Sequence, residues 1–174
     1  MIYRRTILAL PLLAPVAGFG SESSSPARAF SQLKIAFSAP HRWSQEDAED
    51  KRAIYFFSPV IDGGNDASML IELPRRTGGT SMEAELKALS ERNAANYLNY
   101  VERRLSSEQT SRGLRYALLE YEATKRRIAV VERVAYIPIS KARKLAVFGT
   151  TTKRTESENL PAFEQFMQSL VAPQ

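Results

Sequence analysis

From Leu114 to Thr152 the chain runs through three β-rich stretches joined by two short basic turns, and nothing else in the sequence limits the fold as tightly. Leu114 to Ala123 reads as one strand, Ile128 to Ile139 as the next and Leu145 to Thr152 as the last, with Lys125-Arg126 and Lys141 to Lys144 at the turns. Turns this short join antiparallel neighbours, because a parallel pair needs a crossover of a dozen or more residues. Ile128 to Ile137 is apolar at both parities apart from Glu132 and Arg133, the pattern of a central strand covered on both faces.

Upstream, Leu33 to Ala39 alternates apolar and polar residues, ends at Pro40, and reads as a first strand. Ala53 to Val60 is β-rich. Asp62-Gly63-Gly64-Asn65-Asp66 follows as turn chemistry, since Gly supplies positive φ and Asn and Asp tolerate it. Ser68 to Leu73 completes that hairpin and Pro74 closes it. The period then changes. Thr80-Ser81-Met82-Glu83 reads as a capping box. It opens an amphipathic helix of about six turns, with Met82, Leu86, Leu89, Tyr97, Val101 and Leu105 on its apolar stripe and Ala94 and Leu98 widening it. Ser157-Glu158-Asn159 can cap a final helix that tolerates Pro161 in its first turn and buries Leu160, Phe163, Phe166, Met167 and Leu170. The order β-β-β-α-β-β-β-α predicts an α+β domain, an antiparallel β-sheet with helices packed on it, and not a doubly wound nucleotide fold.

The first 29 residues carry an address. Met1 to Arg5 is basic, Thr6 to Phe19 is apolar, and a Ser-rich stretch leads to Pro26-Ala27-Arg28-Ala29, which together read as an export signal. The apolar run is shorter than the roughly 20 residues a spanning helix needs, and Pro11 and Pro15 interrupt it. Arg4-Arg5 fits either a twin-arginine leader or an ordinary basic start. Cleavage fits after Gly18, Gly20 or Ala29. Val16-Ala17-Gly18 resembles the approach to a lipoprotein processing site, and Ser21 to Pro26 the tether that follows one. Position 19 is Phe19 where the lipid-bearing cysteine belongs, so no thioether lipid is expected. The domain boundaries read as 1–29 for signal and tether and 30–174 for a single domain, periplasmic or secreted.

That domain has no cysteine, hence no disulfide, thiolate nucleophile or Cys-based metal site. Removing residues 1–29 takes away three arginines and one glutamate and leaves 21 basic against 18 acidic residues. So mild a charge permits contact with anionic lipid or an acidic partner, and argues against a nucleic-acid binder.

Ile35-Ala36-Phe37-Ser38-Ala39-Pro40-His41-Arg42-Trp43 is similar to the first strand of the PsbP-like domain family, which ends in Pro-x-x-Trp. The mid-chain helix, the strand entry at Gly113, the final three strands and the terminal helix with Phe163 and Phe166 extend the resemblance over roughly residues 33–171. The group includes the extrinsic oxygen-evolving subunit of photosystem II and the DcrB-like bacterial envelope lipoproteins. The resemblance implies an α/β/α sandwich around an antiparallel sheet and an accessory, assembly or binding role rather than an enzymatic one. Some bacterial relatives of the fold act as chaperones for secreted effectors.

Catalytic signals are weak. His41 is the sole histidine, placed between Pro40 and Trp43 where a strand-end position explains it, and Trp43 reads as a core plug under the sheet edge. With one His and no Cys, no transition-metal site or other cofactor is expected. The 62–66 turn lacks the full calcium loop and its terminal glutamate. Gly63-Gly64 and Gly78-Gly79 lack the phosphate-loop lysine and the dinucleotide spacing. Glu120 and Glu122 share a strand face, and Glu132 lies on the next strand, which leaves a hydrolase using Glu120, Glu132 or His41 as an alternative.

The basic turns are the candidate partner-binding residues: Arg75 and Arg76 after the third strand, Lys125, Arg126 and Arg127 at one hairpin, Lys141, Arg143 and Lys144 at another. Successive turns of an up-down meander fall at opposite ends, so the two later clusters are expected apart. Solvated turns that discourage edge pairing explain them equally. The expected function is a non-catalytic exported protein that binds or stabilises another envelope component, with a hydrolase or an effector chaperone as alternatives.

Overall fold

The computed structural model describes residues 26–49, 52–61, 64–77 and 79–172. Residues 1–25, with the expected export signal and most of the tether, lie outside the described residues, as do Asp62 and Gly63 of the expected turn and Gly78. Two antiparallel meanders build the molecule. The first holds β1 (Ser44–Asp47) and β2 (Ala53–Phe57), a small side hairpin of β3 (Val60–Ile61) and β4 (Gly64–Asn65), and then β5 (Ala67–Arg76). The second holds β6 (Leu98–Gln109), β7 (Arg115–Lys125), β8 (Ile128–Ser140) and β9 (Arg143–Thr152). They join where β5 pairs antiparallel with β9, Ile71 opposite Val147, to give one seven-stranded sheet in the order β1-β2-β5-β9-β8-β7-β6.

Helices cover both faces. On one side α1 (Pro26–Gln32) and α3 (Glu156–Ser169) pack Phe30, Phe163, Phe166 and Met167 onto Ile54, Phe56, Leu118, Ile137 and Val147. On the other, α2 (Met82–Asn96) lays Leu86 onto Ala117, Leu119, Tyr121, Ala123 and Val134. Successive residues of β7 thus belong to opposite cores, as period-two geometry requires. Burying each large apolar side chain contributes about 1.5–3 kcal/mol. The expected antiparallel α+β sandwich is what forms, with β8 in the sheet interior.

Several sequence expectations are corrected. Leu33 to Ala39 is no strand of the sheet. Lys34 takes φ of 57°, which turns the chain after α1, and Ala36 makes a lone antiparallel bridge with Val171. The alternation is real, since Ile35 and Phe37 pack into the α1/α3 core, but the sheet edge is supplied by Ser44–Asp47 instead, directly after Trp43. β5 continues through Pro74 to Arg76, because its ladder to β2 ends at Glu72 and a bulge there absorbs the proline. Helix α2 is capped by Ser81, whose hydroxyl accepts from the Ala84 amide. Glu83 does not complete a capping box. It accepts from the Ser107 hydroxyl at 2.7 Å, a bond that lowers its carboxyl below the ordinary range. In α3, Pro161 lies past the first turn, which begins at Glu156.

The largest correction is at Tyr97 to Leu105. The helix stops at Asn96, whose side-chain amide donates to the Arg92 carbonyl, and Asn99 adopts φ of 53° at the start of β6. Spacing of four residues at Tyr97, Val101 and Leu105 satisfies a helix face and a strand face alike, because four is an even number of strand residues. Side-chain type breaks the tie, since Tyr97, Tyr100 and Val101 favour a strand.

Gly149 of β9 lies beneath α3. A Cβ there would stand 2.5 Å from Phe163 Cδ2, so the absent side chain is what lets the helix approach. Gly149→Ala is expected to cost about 1–3 kcal/mol by overpacking, seen as a lower urea midpoint. An unchanged midpoint would show that α3 does not depend on this approach.

Candidate functional site

The charged residues sort by sheet face. On the α3 side, Arg133 Nε donates to Glu120 Oε2 at 2.6 Å while its guanidinium sits 5.5 Å from the Phe163 ring centre. A register shift between Glu102 and Arg104 turns two successive arginines, Arg103 and Arg104, toward this side. Arg103 bonds Glu122 through Nε at 2.6 Å and grips Glu156 of α3, with one contact at 3.0 Å. Lys153 adds a bond to Glu122 at 2.5 Å. These bonds hold two carboxyls below their ordinary range: Glu156 chiefly through Arg103, Glu122 chiefly through Lys153 and then Arg103. The network ties β6 and β7 to α3.

On the α2 side Glu132 accepts three bonds, from the Tyr121 hydroxyl, from Lys125 Nζ at 2.6 Å and from Thr150 Oγ1 at 3.0 Å. Burial, reinforced by the Glu132 charge, raises the Tyr121 phenol far above the ordinary tyrosine range. Ser90 of α2 bonds both Tyr100 and Glu102 of β6. Glu120 and Glu122 do share a face, as expected, but Glu132 lies on the other, so the sheet stands between Glu132 and the Glu120–Glu122 pair, whose carboxylates are taken up by arginine and lysine. His41 is exposed in the turn before β1, and Trp43 packs half-buried against the α1/α3 core. Asp66 of the expected turn is held by Arg154 at 2.9 Å. Among the described residues, no cluster of three or more His, Asp or Glu side chains is placed to hold a metal ion.

The basic residues fall at two opposite ends of the sheet. At one end β5 and β9 set Arg75 opposite Lys144 and Arg76 opposite Arg143, with Lys141 in the adjoining turn. Arg75 pairs with Glu72 at 2.7 Å. Lys144 is buried, paired with Glu85 of α2 and stacked 3.8 Å over Tyr136. Burial, with the nearby Arg75 charge, lowers its ammonium below the ordinary lysine range. The exposed members here are Arg75, Arg76, Lys141 and Arg143. At the other end Lys125 folds back, bonded to Glu132 and 4.3 Å over Tyr97. Arg126 and Arg127 form the two-residue tip of the β7–β8 hairpin, with φ of 51° and 69°. Both are exposed.

Sequence reasoning missed the apolar companions of this tip. Leu98 pairs with Thr124 and is 74% exposed, Val101 is 55% exposed, and Ile128, beside the turn, is 54% exposed. Helical spacing over 82–105 predicts a buried stripe that includes Leu98 and Val101, and the structure leaves both exposed. Recognising that the helix ends at Asn96 and that Asn99 sits at a bulge in the following strand places them on an edge strand.

No family model matches the chain, and no curated protein sequence matches it. Among solved structures, a protein of unknown function from Pseudomonas aeruginosa superposes with a TM-score of 0.58 at 18% identity, over 80% of this chain and 98% of that one. LpqN of Mycobacterium tuberculosis, described as involved in cell envelope biogenesis, gives 0.57 at 12% identity over 79% and 82%. The cyanobacterial PsbP of Synechocystis gives 0.55 at 12% identity over 92% and 98%. The chain therefore shares the PsbP-like fold. No helix among the described residues is long and apolar enough to cross a membrane.

The Arg103 network has a pH signature. Glu122 and Glu156 titrate below the ordinary value of 4.5 in the folded state. The stability they add is complete above that value and is lost as pH falls through their folded values. Arg103→Met is expected to lower the melting temperature at pH 7 and to flatten its decline between about pH 5 and pH 3. A variant with the parent's acid profile would show that Arg103 does not set these protonations.

Proposed function

We propose that this chain is an exported, non-catalytic accessory protein that binds an acidic component of the cell envelope through the Arg126-Arg127 end of its sheet. One observation carries the proposal. Two consecutive arginines hold the left-handed conformation, exposed, at a hairpin tip rimmed by exposed Leu98, Val101 and Ile128. Left-handed backbone costs a non-glycine residue about 1–2 kcal/mol, and a two-residue turn of this kind favours Asn-Gly. Retained strain of this sort points to a role for the side chains themselves. An apolar rim beside unpaired arginines is the composition of a docking surface, since arginine is enriched at interface centres. The envelope role of LpqN, the accessory character of the PsbP-like resemblance and the leader-like residues 1–29 supply the setting. Arg76, Lys141 and Arg143 at the far end form a separate, weaker candidate surface. The separation of Glu120 from Glu132 speaks against the hydrolase.

One feature favours a second reading, the effector-chaperone type. An open groove of about 460 Å³, lined by Phe30, Ile35, Phe37 and Ile54, runs beside α1.

The double substitution Arg126→Asn with Arg127→Gly separates fold from function. It suits the turn, so stability is expected to rise by about 1 kcal/mol, while affinity capture of envelope proteins by the tagged chain is expected to lose its main partner. Full retention of that partner would remove the docking role. Loss on Phe37→Arg instead would favour the groove. Fractionation should recover the processed protein in the soluble envelope fraction, and recovery only in salt-washed membranes would refute that location.

A further inference from the structure

Between α2 and the sheet lies a cavity of about 330 Å³, bounded by Leu89, Val134 and Phe148, by the Tyr97 and Tyr121 rings, and by Arg92, Asn93, Lys125, Glu132 and Thr150. Its volume is at the lower end of the range for small-ligand sites, roughly 300–1,000 Å³. Asn93 is the telling residue. It is only 7% exposed, yet its side-chain amide has no partner among the described residues. No fully enclosed side-chain nitrogen or oxygen of the described residues lacks a hydrogen bond, so the Asn93 amide opens onto the cavity it lines. Solvent in the cavity can meet that amide, and so can a ligand that displaces the solvent.

The remaining polar groups decide what that something is. Glu132 is saturated by Tyr121, Lys125 and Thr150, so it offers little to a ligand. What is left is donor-rich: the Asn93 amide, the exposed Arg92 guanidinium at the rim, and the Lys125 protons not given to Glu132. Two cations face one carboxylate, a surplus of a single positive charge. Leucine, valine and three aromatic rings supply the rest of the wall.

We propose that this cavity is a binding site for a small amphipathic carboxylate. Its anionic head meets the Asn93 amide and Arg92, and its aryl or short acyl body lies on Leu89, Val134 and Phe148. The site is distinct from the hairpin tip, since neither Arg126 nor Arg127 lines it.

The test is a titration of the isotope-labelled full chain with phenylacetate, 4-hydroxybenzoate and hexanoate, followed through the Asn93 side-chain amide and the Thr150 backbone amide. At least one carboxylate should saturate both signals, and its neutral amide analogue should bind at least tenfold more weakly. Arg92→Met, an exposed position, should weaken binding at least tenfold without moving the melting temperature, and Asn93→Ala should do likewise if it remains folded. Absence of saturation with all three acids, equal binding of the amide analogue, or undiminished binding to Arg92→Met would each overturn the proposal.

Discussion

The pairing of β5 with β9 is the contact on which the molecule depends. Each meander alone is a sheet with one bare long edge, and neither has a complete core. Setting Ile71 against Val147 and Leu70 against Phe148 closes those edges onto each other, and Ile71 and Val147 join the floor on which α1 and α3 rest. The two strands are separated in sequence by all of α2, β6, β7 and β8, so this ladder demands a long loop closure before it returns any stabilisation. The second meander has only local turns to form and is the natural place for structure to begin.

Once the sheet is closed, its two faces are chemically different. The α3 face binds its helix through arginine–glutamate pairs as well as aromatics, and the Arg103 bulge delivers the arginines. The α2 face is richer in tyrosine and encloses the Glu132 group and the cavity beside Asn93. Buried ion pairs return little net stability when well made, but removing one partner leaves an uncompensated charge. That asymmetry makes the Arg103–Glu122–Glu156 group a fixer of α3's position more than a source of stability. The exposed hairpin tip stands apart from both faces. Its two-residue turn needs positive φ at both positions, and arginine meets that need at a cost that Asn-Gly would avoid.

Legibility followed locality. β7, β8 and β9 were readable because alternation and tight turns lie within a few residues of each other. Tyr97 to Leu105 was misread because a four-residue repeat suits both periods, and Leu33 to Ala39 because alternation marks burial on a core, not membership of a sheet. The basic residues were visible as clusters, and their separation to opposite ends followed from up-down connectivity. That Lys144 and Lys125 are tied inward was not visible, since Glu85 and Glu132 become their partners only across α2 and across a hairpin. Asn93 carried no signal at all, being one polar residue in an amphipathic helix.

By itself, then, the sequence determined the class of fold, the run of hairpins in its second half and the charge of its turns, because each arises from interactions between near neighbours along the chain. The tertiary structure alone decided which arginines and lysines remain exposed, on which face each glutamate lies, and that an unpartnered amide opens on a cavity. Those outcomes rest on strand register and on one bulge at Arg103, and register is settled by pairing between segments that the sequence holds far apart.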